Sequence, residues 1–123
     1  MIAVDTSAMI AYLKGEQHVA RLTGLIETRE LILPPVVLAE ILSSPDLEAR
    51  DAAFIAAIPL LEVHMGFWAR AGELRKSLLT RGLKSGMADA LIAQSCIDHR
   101  VSLFTLDRDF RHYVRFGGLR IAS

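Results

Sequence analysis

Short apolar runs at residues 2–4, 31–33, 60–63 and 102–105, with a fifth candidate at 119–121, show little alternation of polar and apolar side chains, and stretches of helical spacing separate the first four. A strand that is apolar on both faces needs cover on both, which a parallel sheet obtains from the helices that connect its strands. The chain is therefore expected to be α/β: a three-layer α/β/α sandwich on a central, mostly parallel sheet of about five strands, joined by right-handed crossovers. Helices are expected at 8–13, 18–27, 36–42, 47–57, 67–80 and 87–98. Pro34 and Pro35 suit the first turn of the third, where a missing N–H costs nothing. In the fifth, Trp68, Ala71, Leu74 and Leu78 fall three and four residues apart, a stripe that predicts Trp68 in the core.

At 123 residues the chain has the size of one domain, residues 1–123, with no repeat or linker. Its 52% hydrophobic content is high against 23% charged residues, so either the core is large or apolar surface meets a partner. No apolar run approaches the roughly 18 to 20 residues of a membrane span, and no basic segment leads a long hydrophobic stretch, which argues against membrane and secretory readings. The single Cys96 lies in an apolar run and has no internal partner; it reads as a small core residue in a reducing, cytoplasmic protein. Acidic and basic residues number 14 each, yet Arg100, Arg108, Arg111, Arg115 and Arg120 gather near the C-terminus. A solvated face and a basic surface are equally good readings of that gathering.

In open parallel sheets function collects at the carboxyl ends of strands. Asp5 follows the first apolar run, and Glu40 lies in the helical segment after the second. Asp107 follows the fourth, with Asp109 two residues later, and Asp89 opens the helix that leads into that fourth strand. Each has a plain structural role available: Asp5 or Ser7 as a helix cap, Asp89 at the positive end of a helix, Asp107 and Asp109 in a turn. Glu40 is harder to place, because its helical neighbours are apolar or proline and a helix without a polar face is expected to be buried. No basic residue lies between Leu31 and Ser44 to pair with it.

Convergence of Asp5, Glu40, Asp89 and Asp107 on a hard divalent cation would relieve both problems, and Mg²⁺ or Mn²⁺ suits oxygen ligands. Zinc does not fit, since His18, His64, His99 and His112 are scattered and Cys96 is alone. Carboxylate-held Mg²⁺ in a strand-end cleft is equipment for phosphoryl transfer, with Thr6 and Ser7 placed to hydrogen-bond a ligand.

The segments VDTSAM, PPVVLAEIL, MADALIAQ and LFTLDRDF put these four acids 35, 49 and 18 residues apart. In that order and on those elements they resemble the PIN domain, specifically the VapC-like toxins of prokaryotic type II toxin–antitoxin modules, from Asp5 to Phe110. The resemblance implies a PIN-like fold and a Mg²⁺-dependent endoribonuclease that is silenced by a cognate antitoxin. By motif position Asp5, Glu40, Asp89 and Asp107 match the family's four acids, the first and third being the surest metal ligands, and Asp109 matches an auxiliary acid. Thr6 and Ser7 match the hydroxyl residues of the first motif. The resemblance further implies a homodimer and a groove for an amphipathic antitoxin helix, whose arginine is expected to neutralise the acids. Arg81 and Lys84, just before the Asp89 helix, are candidates to hold an RNA phosphate or are simply solvated.

A receiver domain would need adjacent acids after its first strand and a lysine after a late one; here the acid is single and the lysines are Lys14, Lys76 and Lys84. A dinucleotide-binding module would need a glycine-rich turn after the first strand, which is absent. A catalytically silent PIN-like RNA- or protein-binding module and a housekeeping RNA-processing PIN nuclease keep the fold and change the role.

Overall fold

The computed structural model describes residues 1–122. The elements run β1 (Ile2–Val4), α1 (Thr6–Leu13), a 3-10 turn (Gln17–Val19), α2 (Arg21–Glu27), β2 (Leu31–Ile32), α3 (Pro35–Leu42), α4 (Ala49–Ala56), α5 (Phe67–Thr80), α6 (Met87–His99), β3 (Ser102–Phe104), a second 3-10 turn (Arg108–Phe110) and α7 (Arg111–Gly117). The sheet is parallel in the order β2-β1-β3, with Ile2 level with Leu31 on one side and Ser102 on the other. β1 is thus the central strand, and both its neighbours arrive by helical crossovers, as an α/β fold requires.

Two of the five expected strands shrink to single bridging pairs, Leu33 with Leu60 and Leu103 with Ile121, both parallel. Each outer segment makes two backbone hydrogen bonds to its neighbour: Leu33 N–H to Pro59 O and Leu61 N–H to Leu33 O at one edge, Leu103 N–H to Arg120 O and Ala122 N–H to Leu103 O at the other. The sheet therefore keeps five positions, with edges too short to offer a long unpaired ladder to another chain.

Val4, Met9, Leu22, Leu33, Ile55, Leu78, Ile92 and Leu103 form the centre of the core, with Phe110 and Tyr113 closing it beneath α7. Cys96 is buried as expected, and burial pushes its thiol up to about 12. Where α7 ends, a Cβ on Gly117 would come within 2.7 Å of Leu74 Cδ1, so a larger residue there would make the Leu74 side chain of α5 shift.

Trp68 departs from expectation. The buried stripe of α5 starts one residue earlier, at Phe67, and continues through Ala71, Leu74 and Leu78, leaving Trp68 68% exposed. Spacings of 4, 3 and 4 from Phe67 describe one helical face better than 3, 3 and 4 from Trp68, because 3.6 residues make a turn. α3 is also less buried than its composition suggests: only Val37 and Ile41 are fully covered, and Leu42 is 45% exposed. No helix among the described residues is long and apolar enough to cross a membrane.

Candidate metal centre

Asp5 is the first residue beyond β1, and its N–H bonds Phe104 O at 3.2 Å, extending the central ladder by one step. Its backbone is extended (φ −84°, ψ 173°) and its side chain caps α1: Oδ1 accepts the Ala8 N–H at 2.9 Å. Ser7, the other capping candidate, instead donates its hydroxyl to Asp5 Oδ2 at 3.1 Å. The same Oδ2 accepts a 2.5 Å hydrogen bond from Thr105 Oγ1. Asp5 is only 3% exposed, and burial raises its carboxyl above the ordinary range against the pull of these three donors.

Thr105, at the end of β3, joins two of the acids. Its hydroxyl gives its one proton to Asp5 and accepts the Asp107 N–H at 3.0 Å, so the loops after β1 and β3 are pinned together. Asp107 in turn accepts the Asp109 N–H on Oδ1 at 2.9 Å, which starts the 3-10 turn and leaves Asp109 exposed. Thr105 did not stand out in the sequence. The available signal was a hydroxyl residue at a strand end two positions before an acid, the same arrangement of small polar groups that marks Thr6 and Ser7 beside Asp5.

Glu40 contradicts its expected burial. It lies on the exposed side of α3, and Thr6 Oγ1 donates to its Oε1 at 2.6 Å, tying α3 to the start of α1. An exposed glutamate needs no buried counter-ion, so the absence of nearby basic residues carries less weight than the sequence suggested.

Asp89 is half-buried in the first turn of α6, where the helix dipole favours a negative charge. Its carboxyl is nevertheless pushed up to about 6, first by burial and then by the charges of Asp107, Asp5, Glu40 and Asp109. All five acids therefore act on one small region. Among the described residues the only ion pairs are His18 with Glu16 and Arg70 with Asp98, so no side-chain cation compensates the cluster. Arg81 does not reach it in any recorded contact: its guanidinium bonds Ser77 O and Oγ at 2.9 and 2.7 Å. Lys84 is exposed on the loop before α6.

The donor set is all oxygen, carboxylates supported by hydroxyls, and it is uncompensated; both features suit a hard divalent cation. No three His, Cys, Asp or Glu side chains among the described residues stand close enough to enclose an ion. By donor type the residues suit Mg²⁺, which keeps several waters and takes one or two carboxylates directly, and they include no cysteine or histidine for zinc.

The family model of the PIN domain matches residues 2–115. Among solved structures, VapBC2 from Rickettsia felis bound to a DNA fragment from their promoter superposes with a TM-score of 0.77 at 22% identity, covering 99% of this chain and 98% of that one. DNA-bound VapBC from Salmonella typhimurium gives 0.74 at 20% identity, with coverage of 98% and 96%. FitAcB from Neisseria gonorrhoeae gives 0.70 at 16%, with coverage of 100% and 97%. No curated protein matches the sequence.

Proposed function

The chain belongs to the PIN domain family, and on that premise we propose that it is a Mg²⁺-dependent endoribonuclease, a VapC-like toxin held silent by a cognate antitoxin. The supporting observation is the gathering of Asp5, Glu40, Asp107 and Asp109 around the half-buried Asp89 with no basic side chain to offset them, which together with burial pushes the Asp89 carboxyl up to about 6. A binding module for nucleic acid gains nothing from such a cluster, because it repels phosphate.

Mg²⁺ bound there, or Mn²⁺ in its place, supplies Lewis-acid stabilisation of the charge that grows on a phosphodiester during hydrolysis. Asp5, Asp89, Glu40 and Asp107 would hold the ion, with Asp109 at the rim. Thr105 and Ser7 fix the Asp5 carboxylate through Oδ2, and Thr6 fixes Glu40, so the ligands keep their orientation while the site is open. The rigid ladder of β1 sets where Asp5 points, and the first turn of α6 does the same for Asp89.

An antitoxin helix would dock along a cavity of about 530 Å³ between α1, α3 and the start of α4, lined by Ile10, Leu13, Ile41 and Leu47 and reaching Glu40. Asp46, Glu48 and Asp51 outnumber Lys14 among its charged lining, which suits an amphipathic helix with a basic edge, and an arginine on that helix would lie at the acids. A homodimer would cover the separate apolar surface where Val63 and Trp68 line a shallow cavity with Val36 and Leu91, Trp68 itself being 68% exposed. Both partners, and the cytoplasmic location in which such a toxin acts, are part of the proposal.

The test is cleavage of cellular RNA by the purified protein. Cleavage should require Mg²⁺ or Mn²⁺, stop on chelation, and vanish in Asp5→Asn and Asp89→Asn. Equal cleavage by either variant, or by wild type in chelator, overturns the assignment.

A further inference from the structure

The zero net charge of the chain conceals a division. Residues 1–66 carry nine acidic and four basic side chains, a net of −5, whereas residues 67–123 carry five acidic and ten basic ones, a net of +5. Much of the excess positive charge collects on α7 and the turns beside it. Arg108, Arg111 and Arg115 recur at spacings of three and four along the 3-10 turn and α7, all exposed, on the side away from the buried Tyr113. Two guanidiniums contact the Phe116 ring, with the Arg81 Cζ 4.3 Å and the Arg115 Cζ 5.1 Å from its centroid. Each contact is a cation–π attraction, so the ring ties Arg81 of the α5 end to the α7 stripe. Among the described residues none of these arginines has an acidic partner.

The stripe is continuous with the acids. Asp107 caps the turn that contains Arg108, and that turn runs straight into α7. On the other side, Ser85 Oγ and Tyr113 Oη share a 2.6 Å hydrogen bond, so the loop carrying Lys84 and leading to Asp89 is anchored to α7. From Arg108 to Arg115 the path is about 10 Å long. It begins at one wall of the acid cluster.

We propose that this face is the track along which the backbone of single-stranded RNA leaves the cleavage site, with Arg108, Arg111, Arg115 and Arg81 contacting successive phosphates. The inference rests on the ribonuclease reading and adds to it where the substrate lies. Clustered carboxylates repel an RNA strand from the reaction centre, so affinity must be supplied next to them, and unpaired guanidiniums supply it without reading sequence. The groove beside α1, with Glu40, Asp46, Glu48 and Asp51 against Lys14 in its lining, favours the same strand less.

The experiment measures binding of a labelled, mixed-sequence single-stranded RNA of about 15 nucleotides, in chelator so that nothing is cut, across NaCl from about 50 to 200 mM. Arg111→Ala with Arg115→Ala should weaken binding about 20-fold near 0.1 M salt and reduce the salt slope by about 1.4, two phosphate contacts' worth. Arg111→Lys with Arg115→Lys should keep most of the slope, and Arg21→Ala with Arg50→Ala, in the acidic half, should change nothing. In Mg²⁺ the alanine pair should raise KM for RNA and leave kcat unaltered. An unchanged slope in the alanine pair overturns the track, as does a wild type that binds no RNA, or polyglutamate bound as tightly as RNA with the same dependence on these arginines. Failure of the ribonuclease reading shows separately, as wild-type protein that binds RNA and never cuts it.

Discussion

Thr105 is the residue on which the geometry of the acids turns, because one hydroxyl spans the loops after β1 and β3. Thr105→Val keeps its shape and removes both hydrogen bonds, leaving Asp5 Oδ2 with only the Ser7 donor. Loss of such a supporting group typically costs 10- to 100-fold in metal affinity or activity. We expect Mg²⁺-dependent RNA cleavage to fall by about that factor while the melting temperature shifts little. Asp89 yields a second prediction. Its carboxyl titrates near 6, above the ordinary 3.8, so the metal-free fold is favoured while Asp89 is protonated and loses that stability as pH rises through 6. The loss is on the order of 1–2 kcal/mol once solvent screening of a half-exposed group is allowed for. Thermal melts in chelator should show a midpoint falling between about pH 4 and pH 7, and Asp89→Asn should flatten the fall.

At the level of elements, Asp5 and Asp107 were legible in the sequence because each sits where an apolar run stops, and a strand end is visible without knowing the packing; Glu40 and Asp89 stood out instead as acids inside or at the start of largely apolar helices. The same holds for α5, whose bounds follow from its apolar spacing. Helix rotation is a different matter: adjacent Phe67 and Trp68 are both large and apolar, and only contact with α6 and α7 decides which turns inward. Glu40 was misplaced for a related reason, since an apolar composition on α3 signals burial whether the cover comes from this chain or from another. These differences predict opposite outcomes for two substitutions. Leu78→Ala, in the buried stripe of α5, should destabilise the fold by roughly 2–4 kcal/mol in denaturant titration. Trp68→Ala should leave monomer stability within about 0.5 kcal/mol and, if the apolar patch joins two copies, lower the mass seen by light scattering at a given concentration. A dimer that persists unchanged in Trp68→Ala would remove that patch from the interface.

Across the whole molecule, the acid-rich segment 1–66 supplies the lining of the groove beside Glu40 and the base-rich segment 67–123 supplies α7, while the five carboxylates come from both segments. The excess of acid in the first segment and of base in the second is countable in the sequence behind a net charge of zero; that α7 is anchored beside the loop before Asp89 is visible only in the fold. The central claim, that the strand-end acids are a divalent-cation site, is best tested without an RNA substrate, since its target sequence does not enter. Calorimetric titration of the chelator-treated protein with Mn²⁺ at neutral pH measures it directly. Saturable binding by wild type, abolished in Asp89→Asn and Asp5→Asn, is the predicted result; no saturable binding, or binding that survives both substitutions, would contradict it.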